Sequence, residues 1–391
     1  MHVIYNSSLT YQHSFFLDTR CLFSAWMTCG KVGFCPYFPP GSDKLANACA
    51  KMLRQADCVV LQNHGVVTLG QTLQQAYDRF VTLENLAQSI INALPIGIPH
   101  PLKESILDIK DQKNIEYQKY LRPVHPCTSA PSTCASRIIT GREKEIRAEL
   151  CRFVKRAYEH NIFTSSSGSI SMRCSSFIDA REVSGEVSFL ITPSNVDRRC
   201  INPNCVCFIS NIKCKGSGTK CKHEKTRSEI MDQYEITKHM YYHPNECNVI
   251  PSHASDIHET IYSMHPEVNS IILAQPPYAT AFCIAGTELN SAGIPESHLV
   301  LGSVKTLPFE SLEEGALFVS KSLDISKGVS TILIDGFGII SVGTSILKTY
   351  VQIEVCESIC GVMLTAMRRG PPVLLNDNQI KEIDVIFNQG H

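Results

Sequence analysis

The chain has 391 residues, a formal net charge of −1, and 43% hydrophobic and 19% charged residues. That length suffices for two ordinary domains, each with its own core. The near-neutral balance supplies no basic field for nucleic acid or an anionic membrane surface, and no run of roughly 18 uncharged apolar residues reads as a membrane span.

In chain order, Met1 to Cys29 lacks the basic flank and compact apolar stretch of a signal peptide, so the cytosol is the expected compartment. The 18 cysteines are spread along the chain, and Cys49, Cys58, Cys151, Cys283 and Cys356 sit among apolar residues. They read as reduced, buried thiols. The segment from Val59 to Ala87 reads as an apolar strand, a Gly turn, a second strand, another Gly and a helix. Its helical stripe is Leu73, Ala76, Tyr77, Phe80, Leu83, Leu86 and Ala87.

The same pattern returns at Ile332 to Cys360. At a constant offset Gly65 meets Gly338, Gly70 meets Gly343, Tyr77 meets Tyr350 and Glu84 meets Glu357. A fixed internal repeat sets the architecture before any other feature. With an indel the match extends upstream to Gly30 and Gly302, and there the sequence symmetry stops. The reading is a partial first copy at residues 1–101, a charged helix with a Pro/Ser linker at 102–139, and a complete second copy at 140–391. A helix is expected at Glu143 to His160 on the stripe Ile146, Leu150, Phe153, Val154 and Tyr158.

Five motifs in order carry a resemblance. Pro39 to Leu53 and Leu61 to Tyr77, with Asn63-His64-Gly65, lie in the first copy. Ser165 to Arg173, Phe189 to Val196 and His265 to Ala281 lie in the second. Together they resemble the class II aldolase/adducin family. The resemblance implies a three-layer α/β/α fold with a mostly antiparallel central sheet, here duplicated with the first copy partial. It also implies a homo-oligomeric, tetramer-like ring, a sugar-phosphate ligand, and zinc held by three histidines beside a carboxylate acid/base.

Residue by residue, the chemistry thins out. The His-x-His positions are Leu273 and Gln275, the third histidine position is Phe337, and the acid/base position is Ala254. Leu and Phe offer no lone pair, and one amide is a poor zinc ligand. His253 and Asp256 are nearby but are expected to point elsewhere. No catalytic residue is therefore assigned. Of the metal ligands only His64 remains, in the first copy, where the simpler reading is a turn histidine bonded locally.

The phosphate-binding features are eroded less. Gly168, Ser169, Thr192, Ser194 and Ser252 are the candidate binding residues, with Ser169 in place of Asn and Asn195 in place of Gly; the simpler reading is that they are turn residues. A metal clip at Cys214, Cys221 and His223 is a weak alternative without paired Cys-x-x-Cys knuckles. Cys200, Cys205 and Cys207 are expected on a strand, and Lys213 to Lys225 reads as a solvated loop. Two functions follow: a degenerate, non-catalytic member of the family, or an active sugar-phosphate aldolase or epimerase whose N-terminal half is missing from this chain.

Overall fold

The computed structural model describes residues 17–107, 124–126, 139–174, 187–194, 196–211, 240–242, 249–312 and 315–388. Asn195, the Cys214–His223 loop with its lysines, and most of the expected linker lie outside the described residues. The fold is α/β, with two sheets.

The smaller sheet comprises β1 (Val32–Cys35), β2 (Cys58–Leu61) and β3 (Gly65–Thr68), with β2 central. The β1–β2 pair is parallel and β2–β3 is an antiparallel hairpin. At its turn Asn63 takes φ 55°, a left-handed conformation that asparagine tolerates. Strand alternation splits β2 between two cores. Cys58 and Val60 join the main core, while Val59 and Leu61 pack under the helix α2 (Asp43–Leu53). A short helix, α1 (Phe23–Cys29), precedes β1. A long one, α3 (Leu73–Ala93), follows β3 and is capped by Thr72, whose side chain accepts from Gln75 N.

The larger sheet has nine strands: β4 (Val124–Pro126), β5 (Ser169–Arg173), β6 (Ser188–Ile191), β7 (Cys207–Asn211), β8 (Met240–Tyr242), β9 (Ser270–Ala274), β10 (Val304–Leu307), β11 (Thr331–Ile334) and β12 (Gly338–Gly343). Their order is β10-β11-β12-β9-β5-β6-β7-β8-β4. The two outermost pairs are parallel and every pair between them is antiparallel. Strands such as β6, β9 and β11 are buried throughout, as strands covered on both faces must be. Ile272 and Ala274 face the core beneath α4 (Gly141–Glu159), α6 (Pro277–Ala285) and α9 (Ile346–Met367). Ile271 and Leu273 face the opposite core, beneath α5 (Ser255–Met264) and α8 (Ala316–Ser322). Helix α9 has the length and apolarity of a membrane span, yet Ile353, Cys356, Ile359 and Cys360 are buried in the main core.

The β1–β2–β3 unit and the β10–β11–β12 unit share one register. Leu61 faces Gly65 as Ile334 faces Gly338, and Val32 faces Cys58 as Val304 faces Thr331. The hydrogen bonding carries the correspondence past Gly30, where the residue pattern loses it. Gly30 N donates to Trp26 O at 2.8 Å and Gly302 N to His298 O at 2.9 Å, ending α1 and α7 (Pro295–Leu301) alike. Thr19 Oγ1 donates to Gly30 O at 2.6 Å, and Ser291 Oγ to Gly302 O at 2.5 Å. The units differ at one edge: β12 pairs with β9, whereas β3 has no second partner strand among the described residues.

Candidate functional site

Where the two sheets' helices meet, a cavity of about 360 Å³ opens between the turn before β5, the loop before α5, the end of β9, the tip of the β11–β12 hairpin, and helices α1 and α3. Helix α3 closes it from the side by packing along α6, where Asn85 Nδ2 donates to Gln275 O at 3.0 Å.

One wall is the turn Thr164–Ser169. Thr164 Oγ1 accepts from Ser167 N at 3.0 Å and closes the turn. Gly168 has φ +87°, and a Cβ there would stand 2.2 Å from the Phe163 ring, so only glycine fits. Beneath the turn lies Arg198, 2% exposed. Its guanidinium donates to the carbonyls of Gly168 (2.8 Å), Pro193 (3.0 Å), Ser166 (3.2 Å) and Val196 (3.2 Å). One side chain thus ties the β5 turn to the turn after β6. Burial lowers its pKa to about 10, which leaves it cationic at neutral pH. The cationic guanidinium thus stands behind the seryl hydroxyls, with the carboxylates of Asp78 and Asp197 close enough to act on it.

Ser169 sits on this wall and is held from behind. Its Oγ lies 2.9 Å from His258 Nε2, Ser171 Oγ lies 2.6 Å from His258 Nδ1, and Tyr262 OH lies 2.8 Å from Ser171 Oγ. Burial alone pushes the His258 pKa down to about 3, so the ring is neutral. If Ser169 donated to the ring, the chain of donors would run inward, away from the cavity, and leave Tyr262 O–H only Asn269 O at 3.5 Å, a length that offers little bonding. The opposite orientation runs from Tyr262 through Ser171 and His258 to Ser169. It leaves the Ser169 hydrogen free to donate into the cavity.

The facing wall is apolar. Ala254, Leu273 and Phe337 belong to one buried cluster with Phe23 from α1 and Phe309. The Phe23 and Phe309 rings stand 5.4 Å apart, and Phe309 and Phe337 stand 6.4 Å apart. Gln275 is held at both ends of its amide: Nε2 donates to Phe337 O at 2.8 Å and Oε1 accepts from Ser24 Oγ at 3.2 Å. The motif resemblance assigns zinc to Leu273, Gln275 and Phe337. Their donor set does not fit it, because Leu273 and Phe337 bring no lone pair and the amide of Gln275 is already committed. Among the described residues no three His, Cys, Asp or Glu side chains converge.

The sequence candidates are thus partly brought together. Gly168, Ser169, Ser194 and Ser252 share the cavity wall. Thr192 stands behind it, fully buried, with Oγ1 accepting from Ile170 N at 3.2 Å. His64 lies at the exposed tip of the β2–β3 hairpin, away from the cavity, and its N–H closes the turn onto Leu61 O at 3.2 Å. His253, expected to point away, lines the cavity, because residues 252–254 form a loop before α5 rather than a continuous strand. Of the cysteines expected on a strand, Cys207 opens β7, Cys205 ends a 3-10 turn, and Cys200 is exposed before it. Arg198, His258 and Phe23 carried no sequence signal of their own.

An α/β fold with a cavity walled by serines on one side and apolar residues on the other is the frame, and sequence comparison gives the class. The profile described as Class II Aldolase and Adducin N-terminal domain matches residues 5–91 and 148–364, and the chain belongs to this family. L-fuculose phosphate aldolase of Methanocaldococcus jannaschii is 43% identical over 65 residues, 16% of this chain and 35% of that protein. A 3-oxo-tetronate 4-phosphate decarboxylase of Pectobacterium atrosepticum is 38% identical over 64 residues, 16% of this chain and 29% of that protein. The chain thus spans about a third of the length of the curated relatives it matches. Among solved structures, an L-fuculose 1-phosphate aldolase has 19% identity and a TM-score of 0.46, over 66% of this chain and all of that one. A sugar-phosphate aldolase from Thermotoga maritima has 15% identity and a TM-score of 0.44, over 60% of this chain and 99% of that one.

Proposed function

We propose that this chain is a duplicated, non-catalytic class II aldolase-type protein that binds a sugar phosphate without cleaving it. The observation that carries this reading is the packing of Phe23 against Phe309 and Phe337, with Leu273 and Ala254 alongside. That cluster stands where the family's metal ligands and acid/base would stand. In this reading residues 1–101 are the partial copy, 102–139 the connection and 140–391 the complete copy, and the shared register of the two hairpin units supports the division.

The binding half of the reading rests on Ser169, Ser194 and Ser252 in front of buried Arg198. The phosphate accepts from seryl hydroxyls, Ser169 being oriented by His258, while the buried guanidinium supplies the field. The sugar's hydroxyls face Asn85, Ser24 and His253. Calorimetric titration of L-fuculose 1-phosphate is the test. The expected result is saturable binding with no release of glycolytic-type triose phosphate or aldehyde. Turnover in the same cell would overturn the non-catalytic half, and failure of both that ligand and inorganic phosphate to bind would overturn the binding half.

A second reading is favoured by β3, which has no second partner strand among the described residues. In the larger sheet β9 lies against β12, which brings Leu273 and Gln275 beside Phe337. A strand laid on β3 from another chain would bring its own side chains beside His64 in the same way. Assembly of copies into a ring, with His64 completing a site between chains, is the form this reading takes. Sedimentation analysis tests it: a monomer at micromolar concentration would end it.

A further inference from the structure

A second cavity, of about 200 Å³, lies at the other end of the β11–β12 unit. Its meaning emerges from the matching place in the first unit, which is filled. There Arg79 of α3 donates from Nε to Thr28 O at 3.1 Å and from Nη1 to Leu69 O at 2.6 Å, and its Nη2 pairs with Asp57 at 2.6 Å. The corresponding positions can be fixed by hydrogen bonds. The bond from Leu69 N to Asp57 O (2.8 Å) recurs from Val342 N to Ser330 O (2.9 Å). The ends of α1 and α7 pair Trp26 with His298 and Gly30 with Gly302, which sets Thr28 against Val300. Arg79 and Gln352 follow their hairpins by the same spacing.

All four counterparts, Val300, Ser330, Val342 and Gln352, line the second cavity. Gln352 is shorter than arginine and 2% exposed. Its Nε2 donates to Ser330 Oγ at 2.8 Å, and its Oε1 has no hydrogen-bond partner among the described residues. A buried acceptor left unpaired is costly, and a donor-rich ligand relieves that cost. Glu267, its side chain 49% exposed, stands at the same cavity and supplies the negative charge that Asp57 supplies in the first unit. Lys348 also lines it, and the four-bond stem of its side chain lets the ammonium turn to solvent when a cation enters.

We propose that this cavity is a binding site for a guanidinium group, which takes the place Arg79 fills in the first unit. A planar cation with several N–H donors matches backbone carbonyls at two positions, the Gln352 oxygen and one carboxylate. A neutral amide of the same shape lacks the charge that Glu267 complements. The site is separate from the seryl cavity and independent of any sugar-phosphate ligand.

Calorimetric titration of the full chain with methylguanidine, at constant ionic strength, tests the assignment against urea as the neutral isostere. The expected result is saturable binding with a Kd on the order of 1 mM, inside the ceiling for so small a ligand. Urea should bind at least tenfold more weakly. Gln352→Arg fills the cavity and should abolish the binding. Gln352→Met keeps the shape but removes the acceptor, and should weaken binding about tenfold. An arginine-containing peptide, titrated alongside, separates a partner's side chain from a free guanidino compound as the source. No saturable binding of methylguanidine, equal binding of urea, or an unchanged Kd in both Gln352 variants would overturn the proposal.

Discussion

His64 and Phe337 each stand one residue before the glycine that opens the second strand of their hairpins, yet the imidazole is exposed while the phenyl ring is buried against Phe309. The difference comes from what lies beside each hairpin. β12 is paired with β9 and α1 abuts its hairpin tip, where Phe23 N donates to Gly336 O, whereas β3 has no second partner strand among the described residues. The buried aromatic at that tip is part of the core, which has consequences for stability.

Phe23→Ala should cost about 3–5 kcal/mol, because it opens a void between Phe309 and Phe337 that the strands around it cannot close. Chemical denaturation of the variant against the parent measures this. A change under about 0.5 kcal/mol, the size expected of a surface substitution, would show that α1 does not seal the site.

His258 ties stability to pH. Its folded pKa of about 3 lies below the ordinary 6.5, so the unfolded chain binds the proton that the folded chain refuses. The neutral ring is harmless above pH 6.5. Stability then falls as pH drops from 6.5 towards 3, with a slope of up to about 1.4 kcal/mol per unit from this group. His258→Gln should lower stability at pH 7 by removing one arm of the relay but should flatten that acid limb. Denaturation midpoints at pH 7, 6, 5 and 4 for both proteins decide it, and parallel curves would sink the assignment.

Gly168→Ala should abolish anion binding by the seryl wall. The substitution places a Cβ against the Phe163 ring at φ +87°, so the turn carrying Ser167 and Ser169 must move. Calorimetry with inorganic phosphate is the check. Wild-type affinity in the variant would mean that the turn does not form the site.

Arg198→Lys keeps the charge but cannot span the carbonyls on both turns, so it should lose about 2–4 kcal/mol of stability and weaken phosphate binding at least tenfold. Arg198→Met should weaken binding further, because the field behind the hydroxyls goes with the charge. Equal phosphate affinity in the two variants would show that the field contributes nothing.

Much of this was legible in the sequence, and the parts that were not share one cause. The hairpins at Gly65 and Gly338 announce themselves because turn glycines and apolar runs are local signals. Motif order groups Leu273, Gln275, Phe337 and Ala254, and the structure places all four on one cavity. The correspondence of Thr19 with Ser291 was not legible, because it is written in bonds to backbone carbonyls that any hydroxyl can make. His258 reaches Ser169 from 89 residues away, across a helix–strand contact that no spacing encodes. Arg198 reads as one of two adjacent surface arginines until the fold buries it, while its neighbour Arg199 stays exposed and reaches in to pair with buried Asp197. Thr192 shows the converse: a hydroxyl in the right motif whose partner proved to be the backbone of β5.

The central claim is that the family's metal position has become core, and zinc content tests it most directly. The full chain, expressed with zinc in the medium and freed of loosely bound metal by gel filtration, should carry far less than stoichiometric zinc by elemental analysis. His64→Ala should leave that trace unchanged, since one exposed imidazole cannot hold the ion. Stoichiometric zinc that disappears in His64→Ala would contradict the account, and would favour a site completed beside β3.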